Sequence, residues 1–480
     1  MVSKKISKNK KRVMDLFNNT SDLIIHELKT HSNIKTMICY IEGFIDRDLL
    51  NRDILKPIMF DLDKPKNIDR ILYISQIKKI ESVEDIIDYM NYGNVCLFFE
   101  GSNIIYAIEI NNWEKRNVEE PSSESVVRGP KEGFIEDILT NKSMLRRKLR
   151  NNNLVFEDYM LGKQTKTKIS LAYIKGIVNE KILAEVKKRL DRIDIDSILE
   201  SGYIEELIED APISLFSTIY NSEKPDIVAG KILEGKVAIF ADGTPHVLIV
   251  PRILVEGIMA SEDYYLSPFY ASFLRLLRFA SLIIAIYLPG IFIALQLYHQ
   301  EMIPTVLLIS MVGARAGVPF PVALEILLMT VAFELTKESG LRLPKSIGQT
   351  VSIVGALILG QAVVEAEIVS GITIIVVSVA AIAEFIIPEL VQSVVIYRFV
   401  IIFLGAFAGI YGIVCGFMVI TTQVVSMDSF GVPFSWPLAP RSWGGLKRDT
   451  FIKMSLRKDI FRPKAIEKMN LRRQNPPRGR

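Results

Sequence analysis

The stretch Leu276–Tyr298 reads LLRFASLIIAIYLPGIFIALQLY, with Arg278 its only charge. An α-helix rises about 1.5 Å per residue, so roughly 20 apolar residues cross the hydrocarbon core of a bilayer. This run is long enough, and Arg275 and Arg278 mark its entry. Moving toward the C-terminus, Ile347–Val364, Val369–Ile387 and Val394–Val424 are further apolar runs. One more, Thr305–Leu335, is interrupted by Gly313-Ala314-Arg315-Ala316-Gly317-Val318-Pro319-Phe320-Pro321, where glycines and two prolines should split it into two helices. Moving toward the N-terminus, apolar residues instead alternate with charged ones. The fold class is therefore mixed: a soluble α/β N-terminal region of two subdomains, an α-helical transmembrane bundle, and a basic C-terminal tail.

The 480 residues are 49% hydrophobic, yet mean hydropathy is only +0.27 because two unlike halves are averaged. The pattern divides the chain into a basic N-terminal segment (1–32), a first α/β subdomain (33–115) and a linker (116–133). A second subdomain (134–260), a membrane region (270–425) and a tail (426–480) follow. In the first subdomain, Thr36–Ile41, Val95–Phe99 and Ile104–Ile110 read as strands, and Asp46–Leu55 and Val83–Met90 as helices. In the second, Thr165–Ile174 reads as a strand and Asn179–Ile193 as a helix. Val237–Ala241 and His246–Val250 flank Asp242-Gly243, a hairpin turn signal.

Formal net charge is +4, but the last 40 residues carry 13 basic and 3 acidic side chains, so the rest of the chain is net negative. Following a membrane region, such a tail points to anionic lipid rather than nucleic acid. The start, Met1 to Arg12, is basic with no apolar core behind it, which does not fit a signal peptide. By the excess of Lys and Arg, both the N-terminal region and the tail belong on the cytoplasmic side. That requires an even number of crossings. With five candidates, the broken Thr305–Leu335 run is expected to be re-entrant or interfacial. Cys39, Cys96 and Cys415 and the four histidines are scattered, so no metal or thiolate cofactor is indicated. No nucleophile–base pair stands out, and the chain reads as non-enzymatic. Gly230 to Lys236 has the glycine spacing of a phosphate loop, but Val237 stands where Ser or Thr is needed and a strand follows where a helix must start.

Charges inside apolar runs are the informative residues, because burying one in a membrane costs at least about 2.5 kcal/mol. Glu325, Glu334 and Glu384 are such groups, and Arg315 lies at the break, where it can pair with Glu325. The other reading of Glu334 is an interfacial position beside Lys337 and Glu338. Gln349, Ser352, Ala356 and Gly360 share one helical face of small and polar residues, which suits close packing or pore lining. Gly405, Gly409, Gly412 and Gly416 form overlapping GxxxG patterns, a helix-packing signal.

The segments from about Lys163 to Pro440 resemble the A subunit of the GerA family of spore germinant receptors (GerA/SpoVAF type). The motifs carrying this are Thr165-Lys166-Thr167-Lys168-Ile169, Ile193 to Ile204 (IDIDSILESGYI), Leu233-Glu234-Gly235-Lys236, Glu262-Asp263-Tyr264-Tyr265, His299 to Pro304 (HQEMIP), Gly317 to Pro321 (GVPFP), Gly348 to Leu357 (GQTVSIVGAL) and Ser429 to Pro433 (SFGVP). Ala316 departs from the pattern, in which an acidic residue is common. The resemblance implies a spore inner-membrane location with a transporter-like B subunit and a lipoprotein C subunit. It also implies homo-oligomerisation around an ion-conducting path opened by nutrients. Pore lining then falls to Gln349, Ser352, Ala356 and Gly360, and gating or ion interaction to Arg315, Glu325 and Glu334. The alternatives are a non-conducting scaffold or signalling subunit, and a secondary transporter.

Overall fold

The computed structural model describes residues 2–62, 68–72, 77–110, 128–342, 360–455 and 466. In the first unit, β1 (Leu23–Lys29), β2 (Lys35–Ile41), β3 (Ile77–Ile80), β4 (Asn94–Phe99) and β5 (Ile105–Glu109) form an antiparallel sheet of order β1-β2-β4-β5-β3. Strand side chains alternate between faces. Met37, Cys39 and Ile41 face one core with Val13 of the Ile6–Leu16 helix and its C-cap Phe17, while Ile38 and Tyr40 face another with Ile54 and Ile58. Both faces are covered, and that is why the β2 run from Met37 to Ile41 is apolar without alternation.

The second unit repeats this plan. Strands β6 (Leu154–Leu161), β7 (Thr167–Ile174), β8 (Tyr220–Ser222), β9 (Val237–Ala241) and β10 (Val247–Val250) have the order β6-β7-β9-β10-β8. Each unit places a helix before its first strand, helical segments between its second and third, a helix between its third and fourth, and a hairpin at its end. The internal repeat was not visible in the sequence. Asp242-Gly243 makes the β9–β10 turn with Gly243 at φ +89°, a conformation glycine adopts without strain. The Glu180–Leu190 helix starts on Asn179, whose side chain accepts from Lys181 N at 3.1 Å. Gly230 lies in the Pro225–Leu233 helix, as expected of a sequence that is no phosphate loop.

Residues 6–29, set outside the first unit by sequence pattern, supply its leading helix and edge strand. Ile6 and Val13 of this helix, with Phe17 just after it, are buried in that unit's core, while its intervening Lys and Arg residues give the segment the look of a basic leader. The two units meet at a buried ion pair, Arg146 Nε to Asp22 Oδ2 at 2.6 Å, with Thr20 Oγ1 donating to the same carboxylate at 2.6 Å.

From Pro268 to Ser426 the described elements are helical. Among the described residues, two helical stretches are long and apolar enough to cross a membrane: Pro268–Tyr298 and Pro388–Ser426. Thr305–Ala314 and Val322–Arg342 are separated at the Gly/Pro break, as the sequence indicated. Gly371–Phe385 follows. The run Val394–Val424, expected to be one tilted or kinked helix, instead reverses direction. Gly409 adopts φ 58°, ψ −145°, and Tyr397 Oη donates to Gln423 Oε1 at 3.0 Å. In a continuous helix those residues would be about 39 Å apart. The arms 391–408 and 410–426 therefore form an antiparallel hairpin, each about 26 Å long, returning to the side where Ser393 Oγ bonds Leu215 O at 2.5 Å and Ser214 Oγ contacts Met427 Sδ at 3.1 Å.

The start of the tail is folded: Asp428–Ser429 pairs with Val432–Pro433, and Phe430 and Val432 enter the second unit's core. Phe430 N donates to Asp210 Oδ2 at 2.7 Å, and the Arg189 guanidinium stacks 4.2 Å over the Phe430 ring. Apolar residues ahead of the basic run hold this part down. The stretch 456–480, to which the expected lipid contact would fall, lies apart from Ile466 outside the described residues.

Candidate functional site: buried charge in the helical region

Arg398 sits in the second turn of the first hairpin arm and is 1% exposed. Its Nη2 pairs with Glu384, itself fully buried near the end of the Gly371–Phe385 helix, and its Nε donates to Ala285 O of the first long helix at 2.9 Å. Lys337 Nζ bridges Glu384 Oε1 at 2.6 Å and Glu334 Oε2 at 2.5 Å, and Arg398 Nη1 lies 3.4 Å from Glu334 Oε1. Two cations and two carboxylates from three helices thus close a neutral quartet. An isolated charge there would be strongly unfavourable, whereas a paired, hydrogen-bonded set is tolerated.

A second cluster lies at the other end of the Val322–Arg342 helix. Glu325 is fully buried. Its Oε1 accepts from Arg315 Nη2 at 3.0 Å, and its Oε2 accepts from Ser370 N at 2.9 Å and Thr373 Oγ1 at 3.0 Å. The carboxylate therefore ties the broken turn to the start of the Gly371–Phe385 helix, where Ser370 is the N-cap. Glu325 and Glu334 are nine residues apart, roughly 14 Å along the axis.

Between the helices, glycine permits close approach. A Cβ on Gly405 would meet Gly290 O at 2.6 Å, and one on Gly290 would meet Ile401 O at 2.7 Å. Gly412 and Gly416 pack against Leu404, Ala408 and Ile401 of the opposite arm. Their contacts are thus within the hairpin, and Gly409 makes the reversal itself.

The α/β region is bonded directly to the first long helix. Asp263, fully buried, accepts from Arg275 Nε and Arg278 Nη1, both at 2.9 Å. Asp449 in the tail accepts from Arg275 Nη1 at 2.7 Å and from Tyr264 Oη at 2.7 Å, and Lys453 Nζ donates to Asp263 O at 2.7 Å. Burial and the neighbouring Asp449 push the Tyr264 phenol well above its usual range, so it stays a donor. Close by, Glu256 takes Lys231 at 2.6 Å and also Lys236. Burial pushes its carboxyl up, but the two ammonium groups outweigh this and hold it at about 2.

Of the residues singled out from sequence, Arg315 and Glu325 pair directly, while Glu334 joins the quartet rather than standing at a free interface. Gly360 lies in a helical stretch, 360–365. Gln349, Ser352 and Ala356 fall outside the described residues. Sequence reasoning missed Arg398, Asp263 and Asp449 as bonded groups, and set Lys337 beside Glu334 without its bridge to Glu384. A lone arginine in the apolar run 394–424 was the available signal for the first. The strands also set Cys39 opposite Cys96, both free and buried. Among the described residues no group of three or more His, Cys, Asp or Glu forms a metal-binding cluster.

These features define a chain whose α/β region is clamped onto apolar helices of membrane-crossing length. Residues 11–465 match the model of the family described as Bacillus/Clostridium GerA spore germination protein. Spore germination protein KA of Bacillus subtilis (strain 168) is 39% identical over 483 residues, covering 98% of this chain and 88% of that protein. Spore germination protein B1 of the same organism is 41% identical over 364 residues, 75% of each chain. The crystal structure of the N-terminal domain of the A subunit of the Bacillus megaterium spore germinant receptor GerK3 aligns with a TM-score of 0.40 at 35% identity, covering 52% of this chain and 95% of that one. The chain belongs to the GerA family of spore germination proteins.

Proposed function

We propose that the chain is the A subunit of a nutrient germinant receptor. Copies of it assemble in the spore inner membrane around an ion path that opens when nutrient binds the complex. Family membership over 11–465 carries the germination role. The buried charges carry the conduction reading, since ionisable groups inside apolar helices mark ion or proton paths more often than they add stability.

In this reading the helix 268–298 runs outward, 322–342 returns, 371–385 returns, and the hairpin 391–426 goes out and back. The run between Arg342 and Gly371 lies mostly outside the described residues, and the soluble region and tail both belong on the core side. The short Thr305–Ala314 helix stays near the outer face. Residues Gln349, Ser352, Ala356 and Gly360 line the path. Arg315–Glu325 and Glu334, in exchange with Lys337 and Arg398, respond to its opening. The transporter-like B subunit and lipoprotein C subunit are the partners.

The test is nutrient-triggered potassium release from spores carrying Ser352→Leu. Reduced release at unchanged protein level is expected. Normal release would remove this face from the ion path.

A further inference from the structure

The first long helix, Pro268–Tyr298, has 31 residues and is therefore about 46 Å long. A bilayer with both headgroup layers measures roughly 40–45 Å, so the start of a helix of this length falls at headgroup level. There Phe269, Tyr270, Phe273, Leu276 and Leu277 are exposed, Phe269 by 90%. At roughly 100° per residue they fall within about 120°, and the stripe continues into the exposed Ile283 and Ile291. Toward the helix start, the exposed side chains thus change from aliphatic to aromatic.

The tail runs along the adjoining side of this helix, where Ser272, Arg275 and Phe279 share a sector of about 60°. Ser272 Oγ accepts from Lys453 N at 2.9 Å, Arg275 pairs with Asp449 at 2.7 Å, and Phe279 meets Phe451 edge-on with ring centres 4.9 Å apart. Ile452, in the same segment, is exposed. The helix Trp443–Asp449 leads into it and is capped by Ser442, whose Oγ accepts from Gly445 N at 3.3 Å. Gly445 faces inward, since a Cβ there would meet Pro437 at 2.7 Å. Trp443 and Lys447, one turn apart, lie on the opposite side and are exposed. The Arg441 guanidinium, also exposed, stacks 3.7 Å over the Trp443 ring. Among the described residues neither Arg441 nor Lys447 has an acidic partner. Indole and phenol rings favour the membrane–water boundary, and lysine and arginine placed there meet anionic headgroups.

We propose that one continuous face, made by Arg441, Trp443 and Lys447 of the tail and Phe269, Tyr270 and Phe273 of the helix, rests on the anionic headgroup layer of the core-side leaflet and pins the tail to the membrane. The continuity of the aromatic stripe with the apolar span, and the two unpaired cations beside it, select a lipid surface as the occupant. The inference rests on the proposed function only in taking helix 268–298 to cross the membrane, and incorporation of the chain into nanodiscs checks that crossing separately.

The test uses the full chain in nanodiscs of phosphatidylcholine, with or without phosphatidylglycerol, and tryptophan emission as readout. Subtracting the emission of Trp443→Phe isolates Trp443 from Trp113 and Trp436. With phosphatidylglycerol present, lipid brominated in the upper acyl chain should quench the Trp443 emission by about half or more, while aqueous iodide leaves most of it. Each basic side chain at an anionic surface contributes about fivefold to docking. Omitting phosphatidylglycerol, or replacing both cations in Arg441→Gln with Lys447→Gln, should therefore raise iodide quenching of Trp443 by about twofold or more. Both changes are on the surface, and an unchanged thermal unfolding midpoint checks that the double variant folds. Quenching by iodide and not by brominated lipid would put this face in water. Protection from both quenchers would put a second copy or a partner protein on it. Quenching by brominated lipid that ignores both phosphatidylglycerol and the double variant would leave apolar contact alone. Each of these three results would overturn the proposal.

Discussion

Replacing Arg398 with methionine removes the guanidinium that pairs with Glu384 and Glu334 and caps Ala285 O at 2.9 Å. The quartet then carries net charge −1, and Glu384, fully buried, has only Lys337 at 2.6 Å to neutralise it. Leaving a buried ion without its partner costs about 3–5 kcal/mol. Lys337 can retain part of the pairing, so the lower end, about 3 kcal/mol, is expected. The helical region, 268–426, has the size at which each kcal/mol shifts a midpoint by roughly 2–4 °C, so its unfolding midpoint in detergent should fall by about 6–12 °C. The double variant Arg398→Met with Glu384→Leu removes both charges. It should recover most of the loss, because a pair replaced by apolar groups of similar volume is nearly neutral. A midpoint lowered by less than about 2 °C in the single variant, or a double variant that merely sums two losses, would refute the account of the quartet as a coupled unit.

Other consequences follow from separate parts of the chain. Tyr397→Cys with Gln423→Cys should be joined by a short thiol cross-linker, because the hairpin brings these positions together, while a continuous helix would hold them about 39 Å apart. Gly405→Val places side-chain atoms where only 2.6 Å separates a Cβ from Gly290 O, and should destabilise by at least about 1–3 kcal/mol. Gly313→Ala, with open space around its Cβ, should be neutral or slightly stabilising in the same thermal assay. Glu256, held down at about 2 from an ordinary 4.5, contributes stability that is full above pH 4.5 and lost as pH falls toward 2. The shift corresponds to about 3 kcal/mol, so Glu256→Gln should lower the midpoint at pH 7 and flatten that acid limb.

Much of this architecture was legible because it depends on local pattern. Twenty-three residues with one charge announced the first long helix, Asp242-Gly243 announced the β9–β10 hairpin, and the Gly/Pro cluster announced the break after Ala314. Features made by distant residues were not legible. Gly405 to Gly416 reads as one packing face until the chain turns on Gly409, and nothing local distinguishes a glycine at φ 58° from one in a helix. The partnership of Glu384, Arg398, Lys337 and Glu334 joins three helices, so each residue in isolation showed only that a charge lay in apolar sequence. The repeat of the two α/β units rests on strand order, which side-chain pattern does not encode. The docking of the tail was not legible because its basic residues dominate its composition, while the residues that hold it, among them Phe430, Val432, Asp449 and Lys453, have partners far away in the sequence.

The central claim is conduction through this chain. The direct measurement is potassium efflux from liposomes containing the purified protein, with and without its co-expressed partner subunits. The account predicts efflux from protein shown to be folded and oligomeric, and its loss when Ser352 or Gly360 is replaced by leucine. No efflux in any partner combination would contradict it, and would place the ion path in another subunit.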